Sequence, residues 1–424
     1  MVPIDYASLP TRSIIAIDVK SFFASVEAVK RGIHPLHAYI IVLSGKDRVG
    51  GVVLASSPRV KAEFGIKTGS RKFEIPNDPR LIIVEPRMSL YLKVNAMIIN
   101  ILKKYVADED LLVYSIDEML LDVTSSHKLF GDVETIAKKI QREIWQTLKL
   151  VITVGIGPNP LLAKVCMDIE AKKTPACFAR WTYDDVQTKL QKIHPMTKMW
   201  GIGERTKLRL NHMGITTIEQ LANADPKRLK NKLGVIGEEL FYHANGVDYT
   251  VLSGRYTPKS TSYGNSQILL RDYTNQREIE IIIREMADQV AARLRKHLVK
   301  AGMLKLGIGF SKSSAERGFN RQTTMSHTNS TKPITAVAIS LFRKYYGGEP
   351  VRSIAVSCGK IKANGPLQLN LFEDPLQAIR NENLDYIVDK VRDRYGFTSL
   401  VYASSMLPCG TAIKRSSYVG GHQS

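Results

Sequence analysis

The chain has 424 residues, 44% hydrophobic and 24% charged, ordinary values for a folded protein with several cores, and its length suggests about two to four domains. Cysteines stand only at positions 166, 177, 358 and 409, which excludes a disulfide scaffold and a zinc knuckle. No apolar run nears the ~18 residues of a membrane span, and Met1–Asp5 lacks a signal-peptide pattern, so no membrane and a reducing cytoplasm are expected. The formal charge of +20 favours a polyanionic partner, nucleic acid above all.

In chain order, Ile14–Ile17 predicts a buried strand that ends at Asp18. Ser21–Arg31 predicts a helix with Phe22, Val26 and Val29 on one face. Strands follow at Ala38–Leu43 and Val52–Ala55, then a short helix over Arg59–Gly65 closed by its glycine. Leu81–Val84 predicts a strand and Leu90–Tyr105 a long helix. Leu111–Ile116 and Met119–Val123 read as strands of a hairpin around Asp117-Glu118. A helix over Val133–Leu148, a strand over Val151–Ile156 and a helix over Asn159–Lys172 complete an α+β layer.

Residues 181–250 predict short helices broken by glycines, and Tyr249–Ser262, rich in Ser, Thr, Gly and Pro, a linker. Beyond it come a helix near Arg277–Leu298, strands near Lys305–Gly309 and Arg352–Val356, and a loop over Lys360–Pro366. A tail follows, with one helix near Leu376–Tyr395 and a polar end. Arg255–Lys362 holds 19 basic and 7 acidic residues, a surplus of 12 in a quarter of the chain. Charge so concentrated points to a binding domain.

Asp18 and the pair Asp117-Glu118 sit at the ends of strands that could share one sheet. Alone, each suits a solvated turn. Together they form a carboxylate cluster whose repulsion cations relieve, and Mg²⁺ prefers oxygen ligands of this kind. Two such ions serve phosphoryl transfer, in a polymerase, a cyclase or a nuclease alike.

The string Asp18-Val19-Lys20-Ser21-Phe22-Phe23-Ala24-Ser25-Val26-Glu27, with Tyr114-Ser115-Ile116-Asp117-Glu118, resembles the two catalytic motifs of Y-family, or translesion, DNA polymerases. It is most similar to the UmuC-like, UV-damage-repair branch of Gram-positive bacteria, their plasmids and phages. The resemblance implies a right-hand polymerase: palm at 1–30 and 81–180, fingers at 31–80, a helix-hairpin-helix thumb at 181–250, a linker at 251–262, a little finger at 263–362 and a tail at 363–424. It implies two Mg²⁺ held by Asp18, Asp117, Glu118 and the Val19 carbonyl. Lys20 departs from the acidic or amide residue common in relatives and is not expected to be a ligand.

The same match assigns Phe22 and Phe23 to the nucleotide, Phe23 as the steric gate against a 2′-hydroxyl; without the motif Phe23 reads as a core aromatic. Arg59 and Lys61 match the triphosphate-binding finger segment, with the register open by two residues. Lys172, or else Lys173, matches the lysine that reaches the phosphates. Trp200-Gly201-Ile202-Gly203 followed by Leu210–Ile215 resembles a helix-hairpin-helix, in which Gly201 and Gly203 seat a DNA phosphate. Lys259 and Ser260 would enter the little finger along the DNA. Gln368-Leu369-Asn370-Leu371-Phe372 resembles the peptide by which bacterial polymerases bind the β sliding clamp, with Gln368, Leu369, Leu371 and Phe372 as contacts.

The expected activity is DNA-directed DNA synthesis in translesion repair and the SOS response, error-prone and without proofreading. Its expected partners are primer-template DNA, dNTPs, the clamp and an SOS accessory protein, and the expected state is a monomer. The rivals are a nucleotide cyclase, which has no use for a DNA-binding domain, and a DNA- and clamp-binding regulator with an inactive palm.

Overall fold

The computed structural model describes residues 4–46, 50–254, 258, 260–365, 375–419, 422 and 423. The chain divides into two compact units, Met1–Arg255 with His422–Ser424, and Tyr256–Gly421.

The first unit begins with β1 (Ile14–Val19), α1 (Phe22–Val29), β2 (Ile40–Ser44), β3 (Val52–Ser56), α2 (Pro58–Phe64), β4 (Ile82–Val84) and α3 (Met88–Leu102). It continues with β5 (Leu111–Val113), β6 (Glu118–Asp122), α4 (His127–Phe130), α5 (Val133–Leu148), β7 (Ile152–Gly157), α6 (Pro160–Ile169) and β8 (Phe178–Arg180). Five strands make one sheet in the order β5-β6-β1-β7-β8. Central β1 runs antiparallel to β6 and β7, and the expected hairpin of β5 and β6 forms.

Strand β1 is apolar on both faces because both are covered. Ile15, Ile17 and Val19 pack with Ile98 of α3 and with Ile136 and Ile140 of α5. Ile14 and Ala16 meet Ala163 and Met167 of α6 on the other face. Side chains alternate along a strand, so Asp18 belongs to the α6 face. Two glycines of β7 let α6 approach this closely. A Cβ on Gly155 would lie 2.4 Å from Ala163 O and Met167 N, and one on Gly157 2.4 Å from Ala163 N.

A smaller sheet has the order β3-β2-β4. Strand β4 pairs parallel with β2, apart from the sheet that residues 81–180 are expected to build. Four short helices follow: α7 (Glu204–Asn211), α8 (Ile218–Ala222), α9 (Pro226–Leu233) and α10 (Val235–Ala244). Leu210, Ile218, Leu229 and Leu240 close their shared core with Trp181.

The second unit holds β9 (Tyr263–Tyr273), α11 (Gln276–Lys296), β10 (Val299–Phe310), β11 (Gly318–Thr328), α12 (Thr331–Tyr345), β12 (Val351–Ala363), α13 (Pro375–Tyr395) and α14 (Ala412–Ser416). Its antiparallel sheet has the order β11-β10-β12-β9, and α11 and α12 contribute to one core with it. Four of these elements, β9, β11, α12 and α14, go beyond what the sequence predicts. Strand β12 runs to Ala363, into the segment expected as a loop from Lys360. The segment expected as a tail also packs on the unit. Arg295 of α11 grips Asp389 of α13 (Nε–Oδ2, 2.6 Å). Arg392 reaches Asp288 at 2.7 Å, and Glu285 accepts hydrogen bonds of 2.9 Å from the main-chain N–H groups of Thr411 and Ala412. All four cysteines are buried and free, and no helix among the described residues is long and apolar enough to cross a membrane.

Candidate active site

Strand register brings the carboxylates together. Asp18 at the end of β1 pairs directly with Glu118 at the start of β6. Asp117 lies one residue earlier, and its main-chain carbonyl accepts from the Val19 N–H at 3.0 Å. Ser115 shapes this turn, donating from Oγ to Asp117 Oδ1 at 2.8 Å and accepting from the Glu118 N–H.

Lysines close over the cluster from α6 and the 3₁₀ turn Ala171–Lys173. Lys172 Nζ lies 3.1 Å from Asp18 Oδ2 and 2.8 Å from Asp168 Oδ1. Lys164 Nζ lies 2.7 Å from Glu118 Oε1 and 2.9 Å from Asp168 Oδ2. The result is an alternating chain, Asp18–Lys172–Asp168–Lys164–Glu118. Of the two lysines left open by the sequence, Lys172 is the one in this chain. Lys164 and Asp168 are site residues the sequence reading missed. The usable signal was their i, i+4 spacing with Lys172, which puts all three on one helical face.

Burial is the main reason that Asp18 titrates high, at about 6. Lys172 opposes the rise, and the charges of Asp117 and Glu118 add to it. Burial pulls the Lys164 ammonium down, but its contacts with Glu118 and Asp168 outweigh that and hold it above its usual range. Lys172 is raised in the same way against its own burial, by Asp18 and Asp168. Among the described residues no three His, Cys, Asp or Glu side chains are gathered as a ready metal cluster. The ammonium groups of Lys172 and Lys164 lie against two of the expected ligands, so a divalent cation must displace them. The donor set of three carboxylates at one sheet edge still fits such an ion, being all oxygen and partly dehydrated.

The link from β1 to α1 is tight. Ser21, the N-cap of α1, adopts a left-handed conformation (φ 49°), a cost of about 1–2 kcal/mol for an L-residue, and so lets α1 begin four residues after Asp18. Lys61 Nζ donates to Ser21 Oγ at 2.9 Å, which carries α2 to the carboxylates. Burial lowers the Lys61 pKa, while Asp18 and Asp117 oppose that. Arg59, the other candidate, turns away, lying over the Tyr39 ring at 5.5 Å and donating to its hydroxyl.

Phe23 is half-buried and stacks on Tyr91, with centroids 4.4 Å apart and planes 13° apart. Phe22, at 2% exposure, belongs to the core beneath it.

Gly201 takes φ 91°, which only glycine adopts freely. Gly203 is the exposed N-cap of α7, and a Cβ there would meet nothing within 4 Å. Ser260 is exposed. Lys259 and the four expected clamp contacts, Gln368, Leu369, Leu371 and Phe372, lie outside the described residues. In the second unit Lys305 stands opposite Gln322 and Ser357 on the sheet, on the opposite face from buried Leu304 and Leu306. That outer face holds a groove of about 530 Å³ lined by small residues, among them Gly307, Gly309, Ser353 and Ala355.

The impB/mucB/samB family model matches residues 17–168, and the model of that family's C-terminal domain matches 260–371. A model described as the thumb domain of DNA polymerase-iota matches 197–248. The chain is 43% identical over 422 residues to a Bacillus subtilis (strain 168) protein provisionally named for UV-damage repair, UvrX, covering 99% of this chain and all of that one. It is 35% identical over 417 residues to DNA polymerase IV 2 of the same organism, covering 96% and 98%. In fold it is similar to the Y-family DNA polymerase chimera Dbh-Dpo4(243-245)-Dbh, with a TM-score of 0.66 at 24% identity, covering 83% of this chain and all of that one.

Proposed function

Since this chain belongs to the impB/mucB/samB family and is a Y-family, DNA-directed DNA polymerase, we propose that it copies DNA past lesions in the SOS response, with low fidelity and no proofreading. The observation that carries this is the β1–β6 register, which sets Asp18 beside Glu118 at a sheet edge with Asp117 next in the chain.

Asp18, Asp117 and Glu118, with the Val19 carbonyl, would hold two Mg²⁺. Such ions, when bound, favour ionisation of the primer 3′-hydroxyl and neutralise charge on the departing pyrophosphate. The chain's own groups do the rest. Lys172 and Lys61 leave their carboxylate and hydroxyl partners for the triphosphate, whose charge exceeds that of either. Phe23 excludes a 2′-hydroxyl by repulsion rather than by added attraction. The main-chain N–H groups after Gly203 hold a DNA phosphate without reading sequence, as does the basic second unit with Ser260 and Lys259 at its start. A template-directed enzyme needs that indifference.

Primer extension with Mg²⁺ and dNTPs on plain and thymine-dimer templates tests the proposal. Wild type should pass the dimer, and Asp117→Ala should reduce extension on both templates at least about a hundredfold. Intact DNA binding with no extension on either template would defeat it. Metal-dependent 3′ trimming of a mismatched primer by the pure protein would contradict the lack of proofreading. For the clamp peptide, added β sliding clamp should stimulate extension, and Leu371→Ala with Phe372→Ala should remove that stimulation while leaving clamp-free extension intact.

A further inference from the structure

Behind Phe23 lies a buried polar clamp that the chemistry above leaves unused. Glu27, one helical turn after Phe23 on α1, is 0% exposed, and a carboxylate is almost never so buried unless paired. Arg87 at the head of α3 grips it with both arms of its fork, Nε to Oε1 at 2.9 Å and Nη2 to Oε2 at 2.7 Å. Arg31, two residues past the end of α1, also donates to Oε2. The Tyr91 hydroxyl donates to Oε1 at 2.9 Å. Burial would raise the Glu27 carboxyl, but these donors outweigh it and hold Glu27 ionised. Tyr91 is itself fully buried, and its ring is the one stacked on Phe23.

A gate that works by repulsion is only as selective as its ring is immobile. A lone phenylalanine on a helix can rotate or withdraw by about 1 Å, which is enough to relieve a clash with one hydroxyl. The Tyr91 ring blocks that withdrawal. Tyr91 is held in turn at its far end, because its hydroxyl is tied to a carboxylate fixed by a planar bidentate fork. We propose that Arg87, Glu27 and Tyr91 are positioning residues that fix Phe23 and thereby set the selection of deoxyribonucleotides over ribonucleotides. This rests on Phe23 being the sugar gate. The competing explanation is a staple that only joins α1 to α3. A loosened staple would slow both nucleotides alike, whereas a loosened gate admits the ribonucleotide selectively.

The experiment measures kcat/KM of the full-length enzyme for a dNTP and its matching rNTP opposite one template base, and reads the ratio. Phe23→Ala comes first and should collapse the ratio. Tyr91→Leu should lower it about tenfold, through a rise in ribonucleotide efficiency. Arg87→Ala, at a side chain 48% exposed, should lower it severalfold while Glu27 keeps Arg31 and Tyr91. Tyr91→Phe, which keeps the ring and loses the tie, should fall between wild type and Tyr91→Leu. If Tyr91→Leu does not fold, Arg87→Ala and Tyr91→Phe carry the test. A collapsed ratio in Phe23→Ala beside wild-type ratios in the Arg87 and Tyr91 variants overturns the positioning role and leaves the gate standing. An unchanged ratio in Phe23→Ala removes the gate, and this inference with it.

Discussion

Asp18 shows how a functional residue is held at the expense of stability. Its carboxyl is raised from 3.8 to about 6, first by burial and then by Asp117 and Glu118, with Lys172 opposing. Between those values the folded protein binds the proton more tightly than the unfolded chain does. Stability therefore falls as pH rises through that window, and the penalty is complete above it. Asp18→Asn removes the penalty. In EDTA at pH 8 the variant should be more stable by about 1–3 kcal/mol, and the gain should shrink towards zero near pH 4. Thermal melts across that range check both the sign and the window. A wild type that is the more stable at pH 8 would show the Lys172 pair outweighing burial.

Among elements, α6 decides where the lysines of the site go, and two glycines decide where α6 goes. Gly155→Ala forces a Cβ to within 2.4 Å of backbone at Ala163 and Met167, atoms that cannot move alone. It should cost about 2 kcal/mol or more, seen as a lowered Tm, and should weaken dNTP binding as Lys164 and Lys172 shift. The sequence motif marks the carboxylates, since Asp18 and Asp117-Glu118 are contiguous strings at strand ends. It ends on Glu27 but does not mark that residue's partners Arg87 and Tyr91, nor the lysine chain, because those depend on which helix covers which face. Open outer faces hide β9 and β11 as well: β11 carries no Val, Ile or Leu, and β9 offers only the three-residue run Ile268-Leu269-Leu270 within an otherwise polar strand. Helix α13 hides its role differently, because its docking rests on ion pairs. Asp288 and Arg392 have side chains 4% and 9% exposed, and breaking such a pair strands a buried charge at about 3–5 kcal/mol. Arg392→Ala should lower the melting transition of the second unit by that order, a result that a loose tail would not give.

For the whole molecule, the distribution of charge says more than its total. The first unit surrounds its carboxylates with lysines that balance them locally, whereas residues 256–362 carry 18 basic against 7 acidic residues, a surplus of 11, into the second unit. Affinity for DNA should therefore come largely from release of counterions, with little preference for sequence. The logarithm of the binding constant should fall linearly with that of salt concentration, by about 0.9 per phosphate neutralised on duplex. Lys305 is the residue with which to count, since it is exposed on the outer face of the sheet, where glycine, serine and alanine leave room for a backbone to approach. Lys305→Ala should reduce the slope by about 0.9 and weaken binding equally on unrelated sequences, with no change in the Tm of the protein. A mutant that binds more weakly at an unchanged slope would mean that this face makes no phosphate contact, and that the surplus charge acts from the edges of the unit.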